Sequence, residues 1–199
     1  MKKSTIFVFS LIFKLSMAFS VVKLDECFLI HYGNSNAPLK VTEYFSFSCP
    51  HCLKLFHEFP KIKEEFIDKG LIYFTFHPVP KEITTLMSLH CFKILNDKEK
   101  QVFLEAMLEY LENNPDDNLE ICRVMQEFLV CLHKPKLPLD DHEYLKESPI
   151  MQKSFLFISQ DEQINALPTV EVNELLFLKD IPDYAFFSEV VKAVIGEQK

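Results

Sequence analysis

Two cysteines separated by two residues are the most reactive side-chain pair in the sequence. Cys49 and Cys52 enclose Pro50 and His51. If a helix begins at Cys49, the unpaired N–H groups and the dipole at its N-terminus favour a thiolate there, and the pKa of the Cys49 thiol falls. Cys52 then lies one turn further along the same face, within reach of Cys49. The spacing predicts a pair that opens and closes as a disulfide with little backbone movement.

The intervening residues favour the same chemistry. Pro50 fits the first helical turn, where its missing N–H is not needed. His51 adds a donor or a positive charge beside the sulfur and further favours the thiolate. Because a stabilised thiolate is a good leaving group, the disulfide form would be a strong oxidant of other thiols.

A structural disulfide and half of a zinc site are the alternative interpretations. A disulfide that closes so short a loop contributes little entropy. A zinc ribbon needs a second close pair, and the other cysteines do not provide one: Cys27, Cys91, Cys122 and Cys131. The histidines also lack ligand spacing. We therefore expect a redox pair, with neither a metal ion nor an organic cofactor.

The segments beside the pair have patterns suited to position it. Residues 39–47 are rich in β-branched and aromatic side chains, which predicts a buried strand running into Cys49. Residues 53–69 have apolar side chains near helical spacing, with a kink or break expected at Pro60 and an end at Gly70. Further strand patterns occupy 28–32, 71–76, 169–172 and 175–178, and a last helix pattern opens at Pro182-Asp183.

The long segment 81–160 has a helical pattern. Its clearest apolar stripe comprises Val102, Phe103, Ala106, Met107, Tyr110 and Leu111. Strands flanking a helix predict an α/β fold containing a βαβ unit. Since 81–160 is too long for one crossover, we predict an inserted helical domain there, with 21–80 and 161–199 forming the sheet domain.

The beginning of the chain has the pattern of an export signal. Lys2 and Lys3 precede a mostly apolar run, and Ala18-Phe19-Ser20 supplies small residues near a cleavage point. The pattern predicts a cleaved signal peptide over 1–20, with an uncleaved membrane anchor as the alternative. Export would place the cysteines in an oxidising compartment, where Cys-x-x-Cys is more often redox-active or structural than metal-binding.

Composition excludes several classes of function. The formal net charge is −8, so the chain lacks the basic face that binds a nucleic-acid backbone. Only three glycines are present, too few for a phosphate-binding loop. Hydrophobic residues make up 48% and charged residues 25%, which is typical of a globular protein.

The segment Glu43-Tyr-Phe-Ser-Phe-Ser-Cys-Pro-His-Cys52 resembles the active site of the DsbA family of bacterial periplasmic thiol–disulfide oxidoreductases. The segment 33–38 resembles that family's lead-in. The resemblance is specific over about residues 30–60 and 160–195, and between them it rests on helical character alone. It implies a thioredoxin fold with an inserted helical domain. A depressed cysteine pKa is an established property of DsbA.

Two further positions carry over from the family. Glu43 matches its buried acidic residue beneath the active site, which can relay a proton from the buried thiol of Cys52. The alternative for Glu43 is an edge-strand glutamate facing solvent. Leu167-Pro168 matches the cis-proline loop, whose residue before the proline would offer backbone groups to a bound peptide. The alternative there is an ordinary trans proline that begins a strand.

The chain departs from the family pattern near this loop. Ala166 replaces a common glycine, Leu167 replaces the usual valine or threonine, and the turn at Asn173-Glu174 lacks the usual glycine. A bulky Leu167 beside the disulfide could change substrate choice and redox strength.

The remaining cysteines have no assigned pairing. Cys122 and Cys131 on one continuous helix would face opposite sides, about 13 Å apart along the axis, too far for a disulfide. They are interpreted as small buried residues. The sequence leaves the pairing of Cys27 and Cys91 open.

The sequence therefore predicts a monomeric thiol–disulfide oxidoreductase that introduces disulfide bonds into exported proteins in the periplasm. The resemblance implies folding polypeptides with free thiols as substrates and a DsbB-type, quinone-linked membrane oxidase as partner. A reductase or isomerase on the same fold is one alternative, although no dimerisation domain of the isomerase type precedes the catalytic segment. A redox-inert peptide-binding or chaperone module is an alternative of another class.

Overall fold

The computed structural model describes residues 24–114, 118–160, 164–179, 181 and 183–197. The predicted signal peptide, residues 1–20, lies outside the described residues. No helix within the described ranges is long and apolar enough to cross a membrane.

A mixed sheet of five strands lies at the centre of the described chain. The central strand β2 (Leu39–Phe45) runs parallel to β3 (Ile72–Pro78) and antiparallel to β4 (Thr169–Val172). The edge strands β1 (Ile30–Tyr32) and β5 (Leu176–Lys179) are antiparallel to β3 and β4 respectively. These strands confirm the predicted order. β2 ends earlier than its apolar pattern because residues 46–48 leave the sheet to reach the first helix.

The helices follow the predicted arrangement. α1 (Pro50–Ile62) joins β2 to β3, which completes the βαβ unit. Among the described residues, five helices lie between β3 and β4: α2 (Ile83–Phe92), α3 (Asp97–Asn113), α4 (Asn118–Cys131), α5 (His142–Glu147) and α6 (Pro149–Gln160). The last helix, α7 (Tyr184–Glu197), packs against α1. The thioredoxin fold with inserted helices is confirmed, whereas the domain limits at 80/81 and 160/161 stay predictions.

Aromatic side chains fix α1 against the sheet. The ring centroid of Phe59 lies 4.8 Å from that of Tyr32, 5.2 Å from Phe74 and 4.9 Å from Phe76. These rings meet at steep interplanar angles, an arrangement that aromatic pairs prefer over face-to-face stacking. Because this contact holds α1 on β3, it also holds the N-terminus of α1 at the end of β2.

The helix does not break at Pro60, where the sequence predicts a kink or a break. α1 continues through Pro60 to Ile62, and the irregular winding comes later, as a π-helical turn over Lys63–Ile67. Pro60 cannot donate to the carbonyl one turn earlier, but the N–H of Lys63 contacts the carbonyl groups of both Phe59 and Pro60. The helix therefore continues past the proline, and its hydrogen-bond pattern changes in the turn that follows.

The predicted stripe of α3 is wrong at one edge. Val102 is 53% exposed. The buried apolar side chains of this helix are Phe103, Leu104, Met107, Leu108 and Leu111, and Lys100 is buried beside them. The apolar face is therefore rotated toward Leu104 and Leu108, because the neighbouring elements approach from that side.

Candidate active site

Cys49 stands at the junction of β2 and α1. Its backbone is extended (φ −87°, ψ 111°), and it is the capping residue at which α1 begins. Its N–H donates to the carbonyl oxygen of Ser46 at 3.1 Å. Pro50 occupies the first turn of α1, as its position in the sequence predicts. The strand-to-helix turn therefore places the Cys49 sulfur at the positive end of the helix.

The sulfur of Cys49 is half-buried and surrounded by donors. The backbone N–H of Cys52 donates to Cys49 Sγ at 3.3 Å. The pKa of the Cys49 thiol falls to about 6, and the largest cause is the hydrogen bond from the Cys52 thiol. Backbone N–H groups of Cys52 and His51 and the charge of His51 also lower this pKa, against the opposing effect of partial burial. Near neutral pH, Cys49 is therefore mainly a thiolate.

Cys52 has the opposite environment. It is only 2% exposed. Burial raises the pKa of its thiol, and the Cys49 sulfur and the Glu43 carboxylate raise it further. Both cysteines are free thiols in this structure. The pair is therefore asymmetric, with one accessible nucleophile and one buried thiol that keeps its proton.

Glu43 lies on the central strand β2 and is 1% exposed, so the interpretation as a solvent-facing edge residue is wrong. Its Oε1 has no hydrogen-bond partner among the described residues. Burial raises the pKa of this carboxyl well above its usual range, and the negative charge of Cys49 adds to the effect. A buried carboxyl that interacts electrostatically with Cys52 has the chemistry needed to exchange a proton with that thiol.

The loop that opens β4 brings two sequence-distant residues to the pair. The Leu167–Pro168 peptide bond is cis, as the resemblance implies. The carbonyl oxygen of Leu167 lies 3.5 Å from Cys49 Sγ and accepts a hydrogen bond from it when Cys49 is in its thiol form. Pro168 is buried, and the side chain of Leu167 is partly buried against the core. The backbone of this loop is therefore in direct contact with the reactive sulfur.

Pro50 and His51 form the exposed rim of the site. The contribution of His51 to Cys49 comes from its backbone N–H and from its charge. No cluster of histidine, cysteine or acidic side chains that could hold a metal ion occurs in the part of the chain that the structure describes.

The sequence analysis did not identify a set of hydrogen bonds that joins the loop before Cys49 to the start of α2. Ser46 Oγ donates to Glu82 at 3.0 Å, and the N–H of Phe47 donates to Thr85 Oγ1 at 3.1 Å. Glu82 and Thr85 belong to the start of α2, 30 or more residues away in the chain. The sequence signal is a glutamate before an apolar helix pattern, and that alone indicates a helix cap.

The other four cysteines are also free thiols. Cys91 and Cys122 are buried, whereas Cys27 and Cys131 are exposed. Cys122 and Cys131 lie on the single continuous helix α4, which confirms the geometric premise of the sequence analysis. The interpretation of Cys131 as a buried residue is wrong, because it ends α4 at the surface.

Comparison with known proteins places most of the chain in one family. A family model described as Thioredoxin matches residues 29–193. Disulfide bond formation protein D of Bacillus subtilis (strain 168) is 28% identical over 180 residues, covering 84% of this chain and 76% of that protein. Probable disulfide bond formation protein D of Bacillus cereus is 28% identical over 176 residues, covering 84% of this chain and 77% of that protein.

Solved structures share the fold. The alpha-DsbA1 protein of Wolbachia pipientis superposes with a TM-score of 0.68 at 22% identity, over 87% of this chain and 93% of that one. Oxidised BdbD of Bacillus subtilis superposes with a TM-score of 0.62 at 24% identity, over 82% of this chain and 90% of that one. The chain therefore belongs to the thioredoxin family, and it is a thiol–disulfide oxidoreductase similar to disulfide bond formation protein D and to DsbA proteins.

Proposed function

We propose that this protein oxidises pairs of thiols in exported polypeptides, using a Cys49–Cys52 disulfide as the electron acceptor. The observation that carries the proposal is the asymmetry of the two sulfurs. Cys49 is partly accessible with a pKa lowered to about 6, whereas Cys52 is buried and its pKa is raised. Because a stabilised Cys49 thiolate favours the reduced pair, the disulfide form gives up its bond readily to a substrate thiol.

The reaction proceeds in two balanced exchanges. A substrate thiolate attacks Cys49 Sγ, a mixed disulfide forms, and the bond between Cys49 and Cys52 breaks. Cys52 leaves as a thiolate and takes up a proton. A second thiolate of the substrate then attacks the substrate sulfur of the mixed disulfide and releases Cys49 as its stabilised thiolate. Two electrons have moved from the substrate to the cysteine pair.

Glu43 is proposed to exchange a proton with Cys52, which it donates during substrate oxidation and accepts back during reoxidation. Its carboxyl is buried on the strand that leads to the active site, and its pKa is raised, so it retains a proton more readily than an ordinary glutamate. Glu43→Gln should slow reoxidation by oxidised glutathione about 10- to 100-fold, because Cys52 must lose its proton to resolve the mixed disulfide. Glu58→Gln on α1 is the matched control, because Glu58 is a partly exposed glutamate that pairs with Lys61 and does not contact the cysteines. Equal rates in the two variants would remove Glu43 from the mechanism.

Leu167 and Pro168 are proposed to hold the substrate backbone. The Leu167 carbonyl faces Cys49 Sγ, so an extended peptide whose cysteine reaches Cys49 passes along this loop. Backbone hydrogen bonds to such a strand would bind many sequences, which suits an enzyme that acts on diverse polypeptides. The partly buried Leu167 side chain would limit the size of the substrate residue next to the reacting cysteine.

The cellular setting is also a proposal. The pattern of residues 1–20 supports export by a cleaved signal peptide, and an oxidising compartment suits an enzyme that forms disulfides. Reoxidation of the pair requires an electron acceptor, and a quinone-linked membrane oxidase of the DsbB type fits that chemistry. We propose that the protein acts as a monomer in the periplasm.

The decisive experiment measures oxidation of a reduced two-cysteine peptide by the purified, oxidised protein. Wild type and Cys91→Ala should oxidise it, and Cys49→Ala should not. Oxidation by Cys49→Ala would refute the assignment. A redox titration of the pair separates oxidase from reductase, since a strongly reducing potential would contradict the proposed direction.

A further inference from the structure

Glu82 is a partly buried carboxylate between β3 and α2. It is the capping residue just before α2, and its two carboxylate oxygens each accept the N–H of Thr85 at 3.0 Å. Glutamate is not among the side chains preferred at this capping position, where serine, threonine, asparagine and aspartate lead. The longer side chain of Glu82 is therefore explained if it makes a contact that a shorter capping side chain could not reach.

That contact is with the active-site loop, which we define as residues 46–48. The hydroxyl of Ser46 donates to Glu82 Oε1 at 3.0 Å. The hydroxyl of Thr85 also donates to Glu82, while its oxygen accepts the N–H of Phe47 at 3.1 Å. One carboxylate thus holds Ser46 directly and Phe47 through Thr85.

The groups that Glu82 holds are buried, whereas the Glu82 carboxylate itself is partly exposed. Ser46 is 3% exposed, Phe47 is 1% exposed and Thr85 is fully buried. In such surroundings a hydrogen bond is stronger than at the surface, and a lost partner leaves a buried polar group unsatisfied. The active-site loop therefore depends on the start of α2 for its conformation.

Ser46 connects this group to both reactive cysteines. Its carbonyl oxygen accepts the N–H of Cys49 at 3.1 Å. A backbone hydrogen bond from Ser46 also lowers the pKa of Cys52, against the larger effect of burial. Two consecutive hydrogen-bonded contacts therefore separate Glu82 from Cys49.

The influence of Glu82 is geometric. The groups that shift the pKa of Cys49 are Cys52 and His51, together with burial, and each acts only while Cys49 stays at the helix start. A displaced active-site loop would move the Cys49 backbone away from those donors.

We propose that Glu82 is a positioning residue that fixes the active-site loop and so keeps Cys49 at the N-terminus of α1. The inference deepens the proposed function and rests on it, since it names the residue through which the inserted helices set the reactivity of the redox pair.

The test compares Glu82→Ala with Glu82→Gln in the full reduced protein. The readout is the pH midpoint of Cys49 alkylation by iodoacetamide, resolved by mass spectrometry from the other cysteines. Glu82→Ala should raise the midpoint by about one pH unit, because the donors around Cys49 lose their alignment. Glu82→Gln keeps an acceptor oxygen at the same distance along the chain and should restore most of the wild-type value.

Asn96→Ala is the matched control. The Asn96 side chain caps α3 by accepting the N–H of Glu99 at 3.1 Å, so its loss is also the loss of a helix cap. This variant should lower the melting temperature and leave the Cys49 midpoint where it is. If Glu82→Ala behaves in the same way, Glu82 is only a cap and the inference is wrong.

Two further results would also overturn the inference. A midpoint lowered equally in Glu82→Ala and Glu82→Gln would mean that the charge of Glu82 acts on Cys49 directly. If Glu82→Ala does not fold, Ser46→Ala removes the same contact from the other side, and an unchanged midpoint there would refute the inference. Because alkylation needs no substrate, a wild type without oxidase activity would refute the proposed function while leaving this comparison intact.

Discussion

At the scale of single residues, the hydrogen bond from the Cys52 thiol is the largest cause of the low pKa of Cys49. In Cys52→Ala that donor is lost, while the backbone N–H groups at the helix start remain. The midpoint of Cys49 alkylation should therefore rise from about 6, by about one unit or more, without reaching the value of a free thiol. Cys91→Ala removes a buried thiol on α2 and should leave the midpoint unchanged. A low midpoint in Cys52→Ala would mean that the helix start alone stabilises the thiolate.

Glu43 should make stability depend on pH. Burial raises the pKa of its carboxyl in the folded state. The folded protein therefore binds this proton more tightly than the unfolded chain. The resulting stability is complete below the ordinary pKa of glutamate and is lost as pH rises toward the raised folded value. Urea unfolding at a series of pH values should show wild type losing stability relative to Glu43→Gln between mildly acidic and neutral pH. Parallel pH curves would contradict this account.

The sequence predicted those side chains whose chemistry depends on local order in the chain. Cys49 and Cys52 are defined by their spacing, and Pro50 by its tolerance at a helix start. The roles of Ser46 and Glu82 depend on where α2 begins relative to the end of β2. No local sequence pattern encodes the position of α2 relative to β2. The roles of these two residues therefore become visible only in the three-dimensional contacts.

At the scale of elements, the turn between β4 and β5 has an unusual backbone. Both central residues have positive φ, 51° at Asn173 and 59° at Glu174. Asparagine tolerates this conformation, and its side chain and N–H both bond to the backbone of Lys40 at 2.8 Å. A glutamate side chain is disfavoured there.

Glu174→Gly should therefore stabilise the protein by about 1 kcal/mol, because glycine adopts positive φ without steric cost. Urea unfolding measures the difference. Asn173→Gly is the paired variant and should be destabilising, since it removes the acceptor of the Lys40 N–H. Equal losses in both variants would show that the Glu174 backbone carries no strain.

Element prediction succeeded where periodicity decides burial and failed where a neighbour decides it. The apolar run that starts at Leu39 has the pattern of a buried strand, and in the structure it forms the central strand β2. Tyr44 lies within that run, but its hydroxyl donates to the buried Glu171 at 2.5 Å, a pair that joins two strands far apart in sequence. A single-strand pattern cannot identify such a partner.

At the scale of the whole molecule, one continuous set of buried apolar side chains joins the sheet to the inserted helices. Phe47 beside the active site contacts Phe45 of β2 at 5.2 Å between ring centroids and Phe92 of α2 at 6.4 Å. Phe92 also packs on Phe103 of α3 at 5.4 Å. The sheet and the inserted helices should therefore unfold together.

Calorimetry should show a single transition for the full chain. Phe92→Ala, which empties a fully buried position, should lower stability by about 3–5 kcal/mol and keep the transition single. Val102→Ala at the exposed edge of α3 should change stability little. Two separate transitions in wild type would mean that the inserted helices form an independent folding unit.

The different burial of the two redox sulfurs also determines which of them forms the disulfide bond to a client polypeptide. Since Cys52 is 2% exposed, the covalent bond to a client forms through Cys49. Every adduct therefore has the same linkage and the same position beside Leu167. In Cys52→Ala, no thiol of the site can attack a mixed disulfide at Cys49, so only a second thiol of the client or a thiol in solution can release the client. If Cys49 of this variant is first converted to a mixed disulfide with glutathione, a client thiolate that attacks Cys49 Sγ displaces glutathione and remains bound to Cys49. Peptide mass spectrometry of these adducts would identify the polypeptides that react with the protein.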